Sequence, residues 1–204
     1  HWMVRRQRQM CIRDSGKSGH SAFLGSYINP CTALAKIIAK LKSSTLDNGT
    51  KYMPPSNLEF TKINVENLSE NVVPQTASAK FNVRFNTKYK STDLKKKLNK
   101  IINSVAKKQK CRAKIEYRVS GEAFYTEPNK DILMVKNVIK KVTRLSAKLN
   151  CRGGTSDSRF LGSIPRLELG LRNNSIHQVN ERSSISDLKK LTLIYSNILK
   201  NYFK

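Results

Sequence analysis

The stretch that most constrains the fold runs from Ala77 to Asn86. Ala77, Ala79, Phe81, Val83 and Phe85 alternate with Ser78, Lys80, Asn82, Arg84 and Asn86. Strict alternation over ten residues is the period of a strand with one face buried and the other in water. Such a strand requires paired neighbours and a layer over its apolar face. The flanking sequence supplies candidates for both. Leu58–Val65 reads as a strand, and Ala113, Ile115, Tyr117 and Val119 form another alternating run. Asn29-Pro30 opens a helix, with Asn as N-cap and Pro in the first turn, and its apolar stripe is Leu34, Ile37, Ile38 and Leu41. Ser91-Thr92 reads as the cap of a second helix carrying Leu94, Leu98, Ile101, Ile102 and Val105. Asp47-Asn48-Gly49 is a turn, followed by Pro54-Pro55. With a strand end at Gly19–Phe23, the order is β-α-β-β-α-β, the ferredoxin-like split pattern. It describes an α+β domain over roughly residues 16–122.

Residues 123–204 read as a second unit of α/β type. After Glu127-Pro128-Asn129, a helix is marked by Ile132, Val135, Val138, Ile139 and Val142. Ser186 reads as the cap of a last helix bearing Leu188, Leu191, Ile194, Tyr195, Ile198 and Leu199. Between them, Leu167–Leu171 is long enough for one buried strand, and one strand is not a sheet. This unit therefore reads as part of an α/β layer rather than a whole one.

Residues 1–15, HWMVRRQRQMCIRDS, are arginine-rich and show no evident helix or strand period. They read as a non-native leader (a vector, adapter or assembly scar), with a genuine basic tail as the other possibility, and are set aside from the fold.

Composition removes several function classes. No run of about 18 apolar residues exists, which excludes a membrane-spanning helix, and no signal-peptide core is visible. Cys11, Cys31, Cys111 and Cys151 lie far apart without metal-type spacing, a usage that fits a reducing cytoplasm. The net charge of +25 invites a nucleic-acid reading. The lysines, however, are spread along helix faces, and no aromatic–basic RNA-binding motif accompanies them. Gly16-Lys17-Ser18 suggests a phosphate loop, but the required upstream glycine position is Cys11, so the motif fails.

Candidate chemistry concentrates in Cys151–Arg182. It combines Gly153-Gly154-Thr155-Ser156-Asp157, the Leu167–Leu171 run, and the polar loop Asn173-Asn174-Ser175-Ile176-His177 with Glu181 beyond it. Adjacent glycines allow close backbone approach to a ligand, and imidazole is the commonest neutral metal ligand. From the residues alone His177 is either a ligand or a satisfied loop histidine, since no second ligand stands at a recognised spacing.

Five blocks in order, GKSGHSAF, MPPSNLEFTKI, NVVPQTASAKFNVRF, VSGEAFYT and GGTSDSRF…LELGL…NNSIHQVNE, resemble the succinyl-diaminopimelate desuccinylase family of the zinc aminoacylase/carboxypeptidase superfamily. The resemblance covers about residues 16–204. It implies a lid and dimerisation domain followed by the C-terminal part of a zinc-binding catalytic domain, with most metal ligands and the glutamate base lying outside this chain. It implies a site with two zinc ions, one of them replaceable by cobalt, and metal-dependent hydrolysis of N-succinyl-LL-diaminopimelate to succinate and LL-diaminopimelate by a cytoplasmic homodimer without nucleic acid or membrane. It casts His177 as a metal ligand and His20 as the catalytic lid histidine that reaches the partner's site. Asn71, Arg84, Gly154, Thr155 and Asn173 become substrate-binding positions. Phe23 stands where the family usually has tyrosine, Leu24-Gly25 replaces Pro-His, Arg152 replaces a glycine, and Ser158 follows Asp157 in place of glycine. A related deacylase or peptidase, a stand-alone dimerisation module and a basic nucleic-acid binder are the alternative readings.

Overall fold

The computed structural model describes residues 8–67, 69–151, 157–162, 164–171 and 174–204. The chain divides into two compact units, the first ending at Phe124 and the second spanning Tyr125–Lys204.

The first unit is a four-stranded antiparallel sheet backed by two helices. Its strands are β1 (Arg8–Ser15), β3 (Asn57–Asn64), β5 (Thr76–Arg84) and β6 (Arg112–Val119), in the spatial order β3-β5-β1-β6. Two-residue strands β2 (Gly19–His20) and β4 (Val72–Val73) pair separately. The helices are α1 (Pro30–Ser43) and α2 (Ser91–Lys108). Reading the long elements in chain order gives β1-α1-β3-β5-α2-β6, the split βαββαβ arrangement.

The first strand of that arrangement is not where the sequence pattern put it. Gly19–Phe23 contributes only the short β2. The role belongs to Arg8–Ser15, within the stretch whose sequence reads as a leader, and it sits between β5 and β6 in the middle of the sheet. Met10, Ile12 and Asp14 face inward, and each is at most 1% exposed. The alternation is thus present, but a carboxylate occupies one of its three inward positions, and that disguises it in a hydrophobicity pattern.

Burial explains the remaining elements. Ala77, Ala79, Phe81 and Val83 of β5 meet Leu34, Ile37 and Leu41 of α1 and Leu94, Leu98, Ile102 and Ala106 of α2 in one core with Met10 and Ile12. Each fully buried large apolar side chain there contributes about 1.5–3 kcal/mol. Asn29 caps α1 through its side-chain oxygen, which accepts from the N–H groups of Cys31 (2.9 Å) and Thr32 (3.4 Å). The cap expected at Ser91-Thr92 is displaced. Lys90 is the N-cap, and the Ser91 N–H donates to Glu122 Oε2 at 2.8 Å. A carboxylate from the end of the domain thereby meets the positive end of the α2 dipole. At the Asp47–Gly49 turn, Asp47 Oδ1 accepts from the Gly49 N–H at 2.6 Å and from Asn86 Nδ2 at 2.6 Å. Gly49 has φ +78, and a Cβ there would stand 2.7 Å from the Met53 carbonyl oxygen, so this turn demands glycine.

In the second unit, α3 (Lys130–Thr143) is capped by Asn129 and packs against α4 (Ile185–Tyr202), whose cap is Ser184 rather than the expected Ser186. A 3-10 turn spans Asp157–Phe160. Leu167–Leu171 forms no strand, a correction of the sequence expectation. An apolar run becomes a strand only when another backbone shares its hydrogen bonds; here the Leu169 carbonyl accepts instead from the Tyr195 side-chain hydroxyl. Ile194 is the one buried residue of α4, while Leu188, Leu193 and Leu199 are each more than half exposed. No helix among the described residues is long and apolar enough to cross a membrane.

The contrast in burial predicts a contrast in protection. Limited proteolysis of the 204-residue chain is expected to cut first within Tyr125–Lys204 and to leave a resistant fragment containing β1 through β6. Exposed apolar helix faces contribute little to a local core and leave the backbone open to fraying. Equal survival of both units, followed by mass spectrometry, would overturn this.

Candidate functional site

The first unit gathers two of the expected site residues at one end of its sheet. Gly19 and His20 of β2 pair with Val73 and Val72 of β4. The ribbon is tied down by Ser21 N–H to the Asn71 carbonyl (2.8 Å) and by the Ser18 hydroxyl to the Val73 carbonyl (2.9 Å). It connects directly to the main sheet, where the Gly16 N–H donates to the Gln75 carbonyl at 2.9 Å.

This frame brings the exposed His20 and Asn71 side chains together, with His20 Nε2 3.4 Å from Asn71 Nδ2. The other ring nitrogen, Nδ1, accepts from the Ala22 N–H at 3.2 Å. Phe23 meets the imidazole edge-on, with centroids 5.4 Å apart and planes at 61°, an arrangement aromatic rings favour. Phe23 is 66% and Leu24 91% exposed, so the loop presents an apolar tip beside a polar pair. The Ala22 amide was invisible to sequence reading, because a backbone donor carries no residue signature.

Arg84 lies elsewhere. It ends β5, opposite Asn57 of β3, on the sheet face away from the helices. Eight residue steps separate it from Thr76, where β5 starts beside the His20 ribbon, a span of about 26 Å at strand rise. Arg84 therefore shares its end of the sheet with the start of β1 and the finish of β6, the end from which the chain continues to the second unit. It is half-buried, and that burial pulls its guanidinium below the ordinary value. A guanidinium remains a cation under those conditions and offers a planar fork to a carboxylate.

In the second unit, His177 occupies an exposed loop with φ 61, in the left-handed region. Its N–H donates to Glu181 Oε2 at 3.1 Å. Ser175 closes the loop, its Oγ accepting from the Arg182 N–H at 3.0 Å. These contacts hold the histidine at the tip of a small closed turn. Gly154, Thr155 and Asn173 lie outside the described residues.

A catalytic zinc takes about three protein ligands. Among the described residues no group of three or more His, Cys, Asp or Glu side chains could hold a metal ion. His177 and the described residues around it therefore do not make a zinc centre by themselves.

Residues 10–110 match the family described as the peptidase dimerisation domain, a stretch that begins inside β1. Those residues belong to that family. The succinyl-diaminopimelate desuccinylase of Pelagibacter ubique is 53% identical over 189 residues, covering 92% of this chain and 49% of the relative. This chain is a homologue of the succinyl-diaminopimelate desuccinylases. The enzyme of that name from Rickettsia bellii is 37% identical over 185 residues, covering 90% of the chain and 47% of the relative. The chain thus spans about half the length of the curated relatives it matches. The aminopeptidase PepT of Bacillus cereus has a similar fold, with a TM-score of 0.79 at 19% identity over 98% of this chain and 52% of that one. A tripeptidase from Staphylococcus aureus gives a TM-score of 0.79 at 20% identity, over 96% of this chain and 51% of that one. At those identities the likeness is one of fold.

Proposed function

We propose that this desuccinylase homologue supplies the lid, the dimer contact and part of the catalytic domain of a metal-dependent amidohydrolase. Its substrate is N-succinyl-LL-diaminopimelate and its products are succinate and LL-diaminopimelate. The observation that carries this reading is the 53% identity across 92% of the chain to a relative of that name. In this reading His177 is this chain's contribution to a zinc site, and cobalt can replace one of two metal ions. The other ligands and the general base come from the part of the relatives' length that this chain does not span.

The chain's own residues have separable tasks. His20 donates a hydrogen bond to the oxygen that becomes negative as the amide carbonyl is attacked, where a preorganised donor matters most. Asn71 stands beside it. Arg84 binds a substrate carboxylate through two oxygens, and Gly154, Thr155 and Asn173 line the substrate. The span of about 26 Å along β5 separates Arg84 from His20 and Asn71. One site therefore takes Arg84 from one subunit and the His20–Asn71 pair from the other, and the homodimer forms through the first unit.

The 204-residue chain by itself is expected to show no hydrolysis, because its described residues assemble no metal centre. Joined to the half of the Pelagibacter relative that it does not match, it is expected to cleave N-succinyl-LL-diaminopimelate in the presence of zinc and to prefer it over N-acetyl amino acids. Succinate release by the chain alone would overturn the first expectation. A folded, metal-loaded, dimeric chimera without desuccinylase activity would overturn the proposed function.

A further inference from the structure

The surroundings of His20 determine which of its nitrogens carries the proton. In neutral imidazole one nitrogen donates and the other accepts. Nδ1 accepts from the Ala22 N–H at 3.2 Å. It therefore cannot bear a proton in the neutral ring, and the hydrogen resides on Nε2. The Asn71 side chain faces that same Nε2, with Nδ2 3.4 Å away. Two donors do not share a contact. The arrangement the ring requires is the Asn71 amide turned by half a rotation about its last bond, with Oδ1 towards Nε2–H; nitrogen and oxygen of an amide exchange places at no cost in shape.

We propose that the Ala22 backbone amide locks His20 as an Nε2–H donor, and that the Asn71 side-chain oxygen occupies that hydrogen until a substrate oxygen replaces it. Ala22 and Asn71 are positioning residues in this scheme, and Phe23 steadies the plane of the ring by its edge-on contact at 5.4 Å. The same lock prevents neutral His20 from accepting a proton at Nε2, so at that nitrogen it stabilises negative charge and is no general base. A donor already held in its working tautomer requires no rearrangement when charge develops. Asn71, the placeholder, prevents the hydrogen from being left without a protein partner beforehand.

The catalytic meaning of the lock rests on the proposed role of His20, but the lock itself is measurable without substrate. The 15N-labelled 204-residue chain is examined by long-range 1H–15N correlation at about pH 8.5, where an ordinary imidazole is neutral. The His20 ring is assigned by its loss in His20→Gln. The expected spectrum shows the Nε2–H form only, together with a 15N–15N coupling across the hydrogen bond from Ala22 N to His20 Nδ1. Asn71→Ala is expected to leave both unchanged, and Ala22→Pro, which removes the donor, to abolish the coupling and admit the second tautomer. An Nδ1–H form in the unsubstituted chain, a mixture of both forms, or absence of the coupling overturns the inference. If Ala22→Pro fails to fold, the coupling in the unsubstituted chain decides alone. Failure here leaves the role of His20 in turnover standing. Full activity of His20→Ala in the complete enzyme would remove that role and leave the tautomer assignment intact.

Discussion

His20→Ala, introduced into the complete chimera, lowers kcat by about 100- to 1000-fold, the range for losing one donor to a developing oxyanion. Zinc content stays unchanged, because His20 belongs to the first unit and His177 to the second. The effect falls on kcat more than on KM, since the donor meets its full charge in the transition state. Mixing His20→Ala subunits with His177→Ala subunits separates action in trans from action in cis. A mixed dimer then holds one intact site, made of one subunit's metal centre and the other's His20. Random pairing makes half the dimers mixed, so about a quarter of the unsubstituted activity returns. The geometric basis is the length of β5. Arg84 lies where the chain leaves the domain, and the His20 ribbon lies at the opposite end of the sheet. No recovery from dimers shown by mass spectrometry to be mixed would place His20 in its own subunit's site or outside the chemistry.

Asp14→Val raises the stability of the first unit by about 1–3 kcal/mol, the usual cost of leaving a buried polar group unsatisfied. Asp14 sits in the central strand, opposite Ala77 of β5 and Ala113 of β6, with no exposed surface. Neither of its carboxylate oxygens has a hydrogen-bond partner among the described residues. Burial pushes its carboxyl up to about 6 from an ordinary 3.8. The burial of Cys111 and the nearby Asp14 charge together raise that thiol as well. The direction with pH follows from these values. The folded state binds this proton more tightly than the unfolded state, so the destabilisation is fully present above pH 6 and fades as pH falls from about 6 towards about 4. Chemical denaturation of the unsubstituted chain should therefore show a gain in stability between pH 7 and pH 5 beyond that of Asp14→Val. A domain this size shifts in Tm by about 4–8 °C per kcal/mol. Equal stability of the two proteins at pH 7 would sink the prediction. Valine suits the position because it removes the charge and favours a pleated, buried surface.

Much of the first unit was legible in the sequence because its signals are local. The alternation is a property of one strand, and it survives in β5 as far as Arg84, whereas Asn86, expected on the water face, is fully buried at the Asp47 turn. Asn29-Pro30 caps and opens α1 with atoms two and three residues away, and Asp47–Gly49 closes its turn within three residues. The order of elements then leaves few ways to pack, and the observed sheet is one of them. Of the candidate site, the resemblance singled out His20, Asn71, Arg84 and His177. The structure describes all four and places the first two side by side. Gly154, Thr155 and Asn173 are sequence expectations only.

What the tertiary structure decided depends on partners distant in the chain. Arg8–Ser15 looked structureless because Asp14 interrupts its apolar face, yet pairing with β5 and β6 on both sides makes it a central strand. Leu167–Leu171 looked like a strand because it is apolar, yet among the described residues no neighbouring backbone completes a ladder. Ser91 looked like a cap, but Glu122, 31 residues on, supplies the acceptor for its N–H. The separation of Arg84 from His20 arises in the same way. A hydrogen-bond partner and a distance along a sheet are set by which backbones meet, and residue type does not specify that meeting.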